Sequence, residues 1–332
     1  MINLKVLEII IDNIKLRDNY LKNTINIDDI YNFFYKVSAN NNKFNNAYII
    51  YYLYNNISSE IVSKRKTSSR DFEDVIATIF NGSITDESKR DNSNKDSFYL
   101  ENDTITNFAI SNKREKADIV FNKNYFLSVK TLLNSNKEVN FGSFEKITLF
   151  SNFNVESYLY ERKGTNSENL GLGSKPRLLN LLNRIKDNGS YLKFQNRFNK
   201  LVEFIFSDDL IILIKNKNSI DIYLIKGKDF INLLKSYSES PEKLISIVNR
   251  WEGNSIRINR EPILSIGKKI NINFEFLDTH IIKRISEVEL KISKYFIEYV
   301  NKYPNNKVYR DLIFKECSII LDEIDSNINI LI

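Results

Sequence analysis

The stretch KADIVFNKNYFLSVKTLL, residues 116–133, decides how the rest of the chain is read. Ala117 to Phe121 and Tyr125 to Leu132 are rich in β-branched and aromatic residues, the composition of strands. Between them Asn122-Lys123-Asn124 makes a tight turn, because asparagine tolerates left-handed backbone angles. A three-residue turn sets Phe121 opposite Tyr125, and counting back sets Asp118 opposite Ser128. Side chains alternate across a strand, so Ser128 and Lys130 share a face with Asp118, and with Val120 and Phe126. Ile119, Phe121, Tyr125, Leu127 and Val129 point the other way. Polar groups on a hairpin whose opposite side is made for burial are costly unless they are paired or put to use.

Upstream lies SSRDFEDVIATIF, residues 68–80. Ser69 can cap a helix there, and Asp71 and Glu73 suit its first turn, where the helix dipole favours negative charge. Phe72, Val75, Ile76, Ile79 and Phe80 recur at helical spacing, and Asn81-Gly82 ends the pattern. Residues 83–112 read as a polar loop with a short strand near 97–101, and residues 1–65 as mostly helical, with AYIIYYLYNN (47–56) as core. Downstream, Ser143 caps an expected helix over 144–150, and 161–177 is a polar, basic loop. Leu210 to Lys215 and Ile220 to Ile225 form a second hairpin that can extend the same sheet. A helix over 228–249, strands at 255–258 and 270–276, and helices at 280–302 and 307–324 complete the chain. This order predicts an α/β (α+β) fold, a mixed β-sheet core flanked by helices with helical N- and C-terminal additions. The expected division is a helical region over 1–65, a catalytic core over 66–235, and a strand and helix region over 236–332 for recognition or dimerisation.

Composition narrows the chemistry. The 332 residues contain one histidine, His280, and one cysteine, Cys317. Histidine-rich zinc sites and nucleases needing two histidines are excluded, and no intramolecular disulfide can form. Nine glycines include no phosphate-binding GxxxxGK[ST] or GxGxxG loop. No apolar run approaches the length of a membrane span and the N-terminus does not read as a signal peptide, so a cytoplasmic protein is expected. The net charge of +6 suits a polyanion only weakly, since lysine, asparagine and isoleucine abound throughout. What remains is chemistry run by carboxylates, lysine and a metal ion.

Asp118, nine intervening residues, then Ser128-Val129-Lys130 resembles the motif of the PD-(D/E)xK nuclease superfamily. That motif has an Asp on one strand, then an acid and a Lys flanking one position on the next. Ala117 stands where the family often has Pro, and Ser128 stands where the second acid belongs. Restriction enzymes that cut around a CCGG core show the same Ser-x-Lys, with the missing carboxylate on the following helix. The resemblance therefore assigns that role to Glu145, which follows Lys130 after fourteen intervening residues, with Glu138 as competitor in what reads as a loop. It also assigns Glu73, on the preceding helix, to the metal site.

The resemblance implies a type II restriction endonuclease that uses Mg2+ on double-stranded DNA at a short, palindromic site. It further implies a homodimer, matching the site's twofold symmetry, and a companion DNA methyltransferase. Asp118, Glu145 and Glu73 would be metal ligands, hard oxygen donors suited to Mg2+. Lys130 would hold the attacking water and offset phosphate charge, with Ser128 beside it. Arg162, Lys163, Lys175 and Arg177 in the basic loop, and Arg257 and Arg260, are candidate DNA contacts. Two rivals stand beside this reading: a structure-directed nuclease such as a junction resolvase, and a non-catalytic DNA-binding protein with a degenerate core.

Overall fold

The computed structural model describes residues 2–18, 25–58, 70–85, 99–101, 104–106, 117–122, 124–141, 149–155, 175–252 and 255–302. Its centre is a six-stranded mixed sheet with strand order β1 (Ser83–Ile84), β4 (Ile119–Phe121), β5 (Tyr125–Leu133), β7 (Asp209–Lys215), β8 (Ser219–Ile225) and β11 (Lys268–Asn273). Both expected hairpins are present and antiparallel, and they join through the parallel pair β5–β7. Phe121 pairs with Tyr125 and Ile119 with Leu127, the register read from the sequence. Asn122 takes the left-handed angle the turn requires, with φ of 46°.

Strand alternation then sorts the molecule into layers. Ile119, Phe121, Leu127, Val129, Ile211 and Leu213 face one core. Helices α1 (Ile2–Asp18), α2 (Ile27–Ala39), α3 (Phe44–Leu53), α4 (Arg70–Phe80) and α10 (Thr279–Lys302) cover this side. Leu132, Leu210, Ile212 and Ile214 face the other core. Over that side lie α5 (Lys175–Asp187), α6 (Tyr191–Ile205), α7 (Gly227–Tyr237), α8 (Pro241–Ile247) and α9 (Arg260–Ser265). A three-stranded sheet, β6 (Glu138–Phe141), β10 (Ser255–Asn259) and β9 (Val248–Glu252), completes this layer. β2 (Tyr99–Glu101) and β3 (Thr104–Thr106) form a separate antiparallel pair. The terminal regions share one core with the sheet, since α1 packs on α10 and α4. No helix among the described residues is long and apolar enough to cross a membrane.

α4 illustrates how sequence becomes packing. Phe72, Val75, Ile76 and Ile79 are all fully buried, a stripe on which each side chain contributes about 1.5–3 kcal/mol. Asn81 ends the helix at φ 57°, and the Gly82 N–H donates to the Ala77 carbonyl at 2.8 Å. A Cβ at Gly82 would lie 2.4 Å from the Phe121 ring, so only glycine lets the chain turn onto the sheet here. Ser69, the expected cap, lies outside the described residues.

Two sequence expectations need correction. Residues 228–249 are not one helix. Ser240 caps α8 by accepting from the Lys243 N–H at 3.2 Å, with Pro241 in the first turn, where its missing N–H costs nothing. The chain is extended from Val248 onward. Glu138 lies not in a loop but at the start of β6.

α3 and α10 are tied by a partly buried polar contact. The Tyr48 hydroxyl donates to Glu289 Oε1 at 2.7 Å, and Tyr51 shares a 2.8 Å hydrogen bond with Ser286. Burial raises the Glu289 pKa, an effect the Tyr48 hydrogen bond only partly offsets. A raised carboxyl pKa favours the folded state below the unfolded value and loses that advantage as pH climbs through the folded value. Glu289→Gln keeps the acceptor and removes the buried charge. Its melting temperature should exceed that of the parent at pH 8, with the difference shrinking toward pH 4. Thermal melts across that range check this, and a pH-independent difference would refute the burial argument.

Candidate active site

The β4–β5 hairpin carries Asp118 at an unusual place. Asp118 precedes the first paired residue of β4, and its backbone still joins the neighbours. Its N–H donates to the Leu127 carbonyl at 3.0 Å, and its own carbonyl accepts from the Thr85 N–H at 3.0 Å. The carboxylate takes over where the ladder stops: Oδ2 accepts from the Val129 N–H at 2.7 Å. A carboxylate bound to a backbone N–H is among the stronger protein hydrogen bonds, and here it holds the Asp118 side chain against β5.

Lys130 Nζ lies 3.7 Å from the same oxygen. That is beyond hydrogen-bond reach yet within ion-pair range. The Lys130 side chain is 31% exposed against 12% for Asp118, so a partly exposed ammonium stands beside a largely buried acid. Ser128 is half-buried two residues earlier on the same face, next to Leu210 across the parallel seam. The structure thus brings Lys130 within ion-pair distance of Asp118, with Ser128 on the same face of β5 as Lys130.

The remaining assigned residues fare differently. Glu145 lies outside the described residues, as do Arg162 and Lys163. Glu73 is buried on α4, whose apolar stripe joins the first core, whereas Lys130 by strand alternation faces the side of the second. Glu138 is engaged elsewhere: its two oxygens lie 3.5 Å from Arg250 Nε and 3.8 Å from Arg257 Nη1. Lys175 and Arg177, read as loop residues, open α5 instead. Arg260 is drawn into the fold, donating to the Asn134 carbonyl at 2.8 Å and pairing with Glu261 at 2.9 Å. Among the described residues no three of histidine, cysteine, aspartate or glutamate gather closely enough to hold a metal ion. Asp118 thus stands beside Lys130, and position 128 carries a serine hydroxyl.

Three features escaped the sequence reading. Lys215 is buried at the end of β7, where burial pushes its ammonium below the ordinary lysine value and Asp71 of α4 opposes the shift. Tyr125 donates to Asp209 Oδ2 at 2.9 Å, while Asp209 Oδ1 accepts from the Gly227 N–H at 2.8 Å, bracing β5, β7 and α7. Arg197 is 2% exposed. It donates to the carbonyls of Leu149 and Ser151 at 3.3 and 2.7 Å and lies 4.6 Å above the Phe153 ring. It thereby fastens the segment 149–155 to α6. Only the helical pattern around Arg197, FQNRF on a buried stripe, carried a hint, since a charge flanked by buried aromatics must have partners.

Comparison with known proteins adds nothing to this geometry: no family model, no curated protein and no solved structure matches the chain.

Two substitutions separate the roles within the hairpin. Asp118→Ala leaves the Val129 N–H without its acceptor and should cost about 1–3 kcal/mol of stability in urea unfolding. Lys130→Met breaks only a long, partly exposed ion pair and should change stability by less than about 0.5 kcal/mol. Equal losses for both variants would contradict the assigned geometry.

Proposed function

We propose that this chain is a Mg2+-dependent endonuclease of double-stranded DNA on a restriction-endonuclease-like core, acting as a type II restriction enzyme. The observation that carries the proposal is the ion pair at the β4–β5 fork: Lys130 Nζ 3.7 Å from Asp118 Oδ2, with Ser128 on the Lys130 face of β5. The mixed sheet flanked by helices supports it, as does the Glu73 helix packed on β1, β4 and β5.

Asp118, with Glu145 and Glu73, would hold the cation through carboxylate oxygens. When bound, Mg2+ supplies an acidified water and neutralises charge at the scissile phosphate. The chain's own groups do the rest. Lys130 binds a non-bridging phosphate oxygen and orients the water for attack, stabilising charge that grows in the transition state. The Val129 N–H keeps Asp118 from rotating away, which preserves alignment at the moment of reaction. Homodimerisation would present two such sites to a palindrome, and a companion methyltransferase would protect host DNA.

Ser128 favours one second reading, a DNA-binding protein whose core no longer cuts, because the motif acid is missing there. A single experiment separates these readings. Supercoiled plasmid incubated with the protein and Mg2+ should yield discrete linear fragments. Lys130→Ala and Asp118→Asn should each slow cutting at least about a hundredfold, the scale for removing a positioned transition-state donor or charge. Shifted but uncut plasmid would favour the binding protein, and cutting of branched DNA alone would favour a resolvase. Cutting by Lys130→Ala at the parental rate would overturn the site.

A further inference from the structure

The parallel seam between β5 and β7 ends in a polar corner that the Asp118–Lys130 pair does not use. Lys215 closes β7 and alternates with Ile211 and Leu213, so it faces the first core, the side of the sheet opposite to Lys130. It is only 8% exposed. A charge taken out of water is costly unless it is paired and hydrogen-bonded. Among the described residues the Lys215 ammonium has neither a hydrogen bond nor an ion pair, and Asp71 of α4 acts on it only from longer range. Thr131 stands on the same face of β5, in alternation with Leu127 and Val129. It lies across the seam from Leu213, two residues before Lys215, so Thr131 and Lys215 are diagonal neighbours on adjacent strands. Its Oγ1 is buried and likewise has no hydrogen-bond partner among the described residues. Two neighbouring polar groups are thus enclosed and unsatisfied at one place, and most buried polar groups in folded proteins are not left so.

We propose that Lys215 and Thr131, with the first turn of α4, form a binding site for a phosphate group, either free phosphate or the terminal phosphate of a nucleotide. The inference goes beyond the nuclease reading, since neither donor belongs to the Asp118–Lys130 pair. Lys215 offers three N–H donors and Thr131 one O–H. A phosphate oxygen accepts from both and brings the negative charge that the enclosed ammonium lacks. The effect of Asp71 on Lys215 places the first turn of α4 beside it, and that end of a helix favours anions through its dipole and its leading N–H groups. The corner also lies beyond the carboxyl ends of two parallel strands, the usual place for ligands of open α/β sheets. Thr131 and Leu133, on the same face, are half-buried, which leaves the end of the seam open to a small group, while the depth of Lys215 selects against a bulky one. Asp71 opposes an anion, but it is exposed and beyond ion-pair distance, so solvent screens it. Asp74, the neighbouring acid, is engaged by Arg70 at 3.7 Å.

The test uses inorganic phosphate, thymidine 5′-monophosphate and thymidine as probes, read by thermal melts in EDTA at constant ionic strength. At about 5 mM, phosphate should raise the melting temperature of the parent by about 2 °C. Lys215→Met should lose that rise. Without phosphate it should melt at or above the parent, because it removes an enclosed charge that has no close partner. Thr131→Val, which keeps the shape and deletes the hydroxyl, should shrink the rise. Asp71→Asn should enlarge it, a gain that misfolding cannot produce. Lys269→Met, on the far edge strand β11, should respond as the parent does, which separates binding from the general stabilisation that phosphate exerts by exclusion from protein surfaces. A rise with both phosphate probes assigns the site to the phosphate group itself, and a rise with thymidine monophosphate alone assigns it to a nucleotide's terminal phosphate. A parent that responds to neither, an equal response to thymidine, or a Lys215→Met variant that responds as fully as the parent overturns the inference. The plasmid digest bears on the Asp118–Lys130 pair alone, so the two readings fail separately.

Discussion

The hydrogen bond from the Val129 N–H to the Asp118 carboxylate governs the architecture around the site. β4 is only three residues long, while β5 runs for nine, so the ladder between them must stop with part of β5 unmatched. An unpaired N–H at that point would cost stability. Asp118 supplies the acceptor from its side chain, and in doing so brings a negative charge to the mouth of the fork. Lys130, one residue beyond Val129 and on the other face of β5, then finds that charge within ion-pair distance. Structure and chemistry thus draw on one group, because the residue that ends the strand pairing is also the residue proposed to hold the cation.

The hairpin was legible in the sequence because its information is local. Alternating apolar and polar residues fixed the faces, an asparagine turn fixed the register, and the outcome matched at Phe121 opposite Tyr125. α4 was legible for the same reason, its stripe being complete within three turns. Residues 228–249 misled because their apolar spacing runs on through Ser240-Pro241, and only capping geometry divides the stretch. Glu138 misled because its surroundings in sequence, NSNKEVN, are polar, whereas its strand partner β10 lies more than a hundred residues away. No short window contains that pairing. Arg197 and Lys215 are buried charges whose partners also lie far off in sequence, Ser151 for the first and Asp71 for the second, and a linear reading cannot supply them.

The two cores on either side of the sheet divide labour. The first is built from helices near both chain ends and is crossed by polar ties such as Tyr48 to Glu289. The second is dense in aromatic rings: Phe150 lies 5.2 Å from Phe194 and 5.4 Å from Trp251, and Phe206 lies 4.8 Å from Phe230. Offset and edge-on ring pairs add about 0.5–1.5 kcal/mol each beyond the area they bury. The three-stranded sheet packs its apolar face on this second core.

The parallel seam between β5 and β7 has a consequence for how the molecule assembles. Its two strands are separated in sequence by residues 134–208, which include β6, α5 and α6. The flanking hairpins β4–β5 and β7–β8 are local and can zip early, on the microsecond scale of short antiparallel ribbons. The seam must await closure of the long intervening stretch, an entropic toll that slows non-local pairing. Nascent chains emerging from the ribosome would accordingly hold a finished β4–β5 fork while its neighbour was still being made, leaving that edge open to misassociation until β7 arrived.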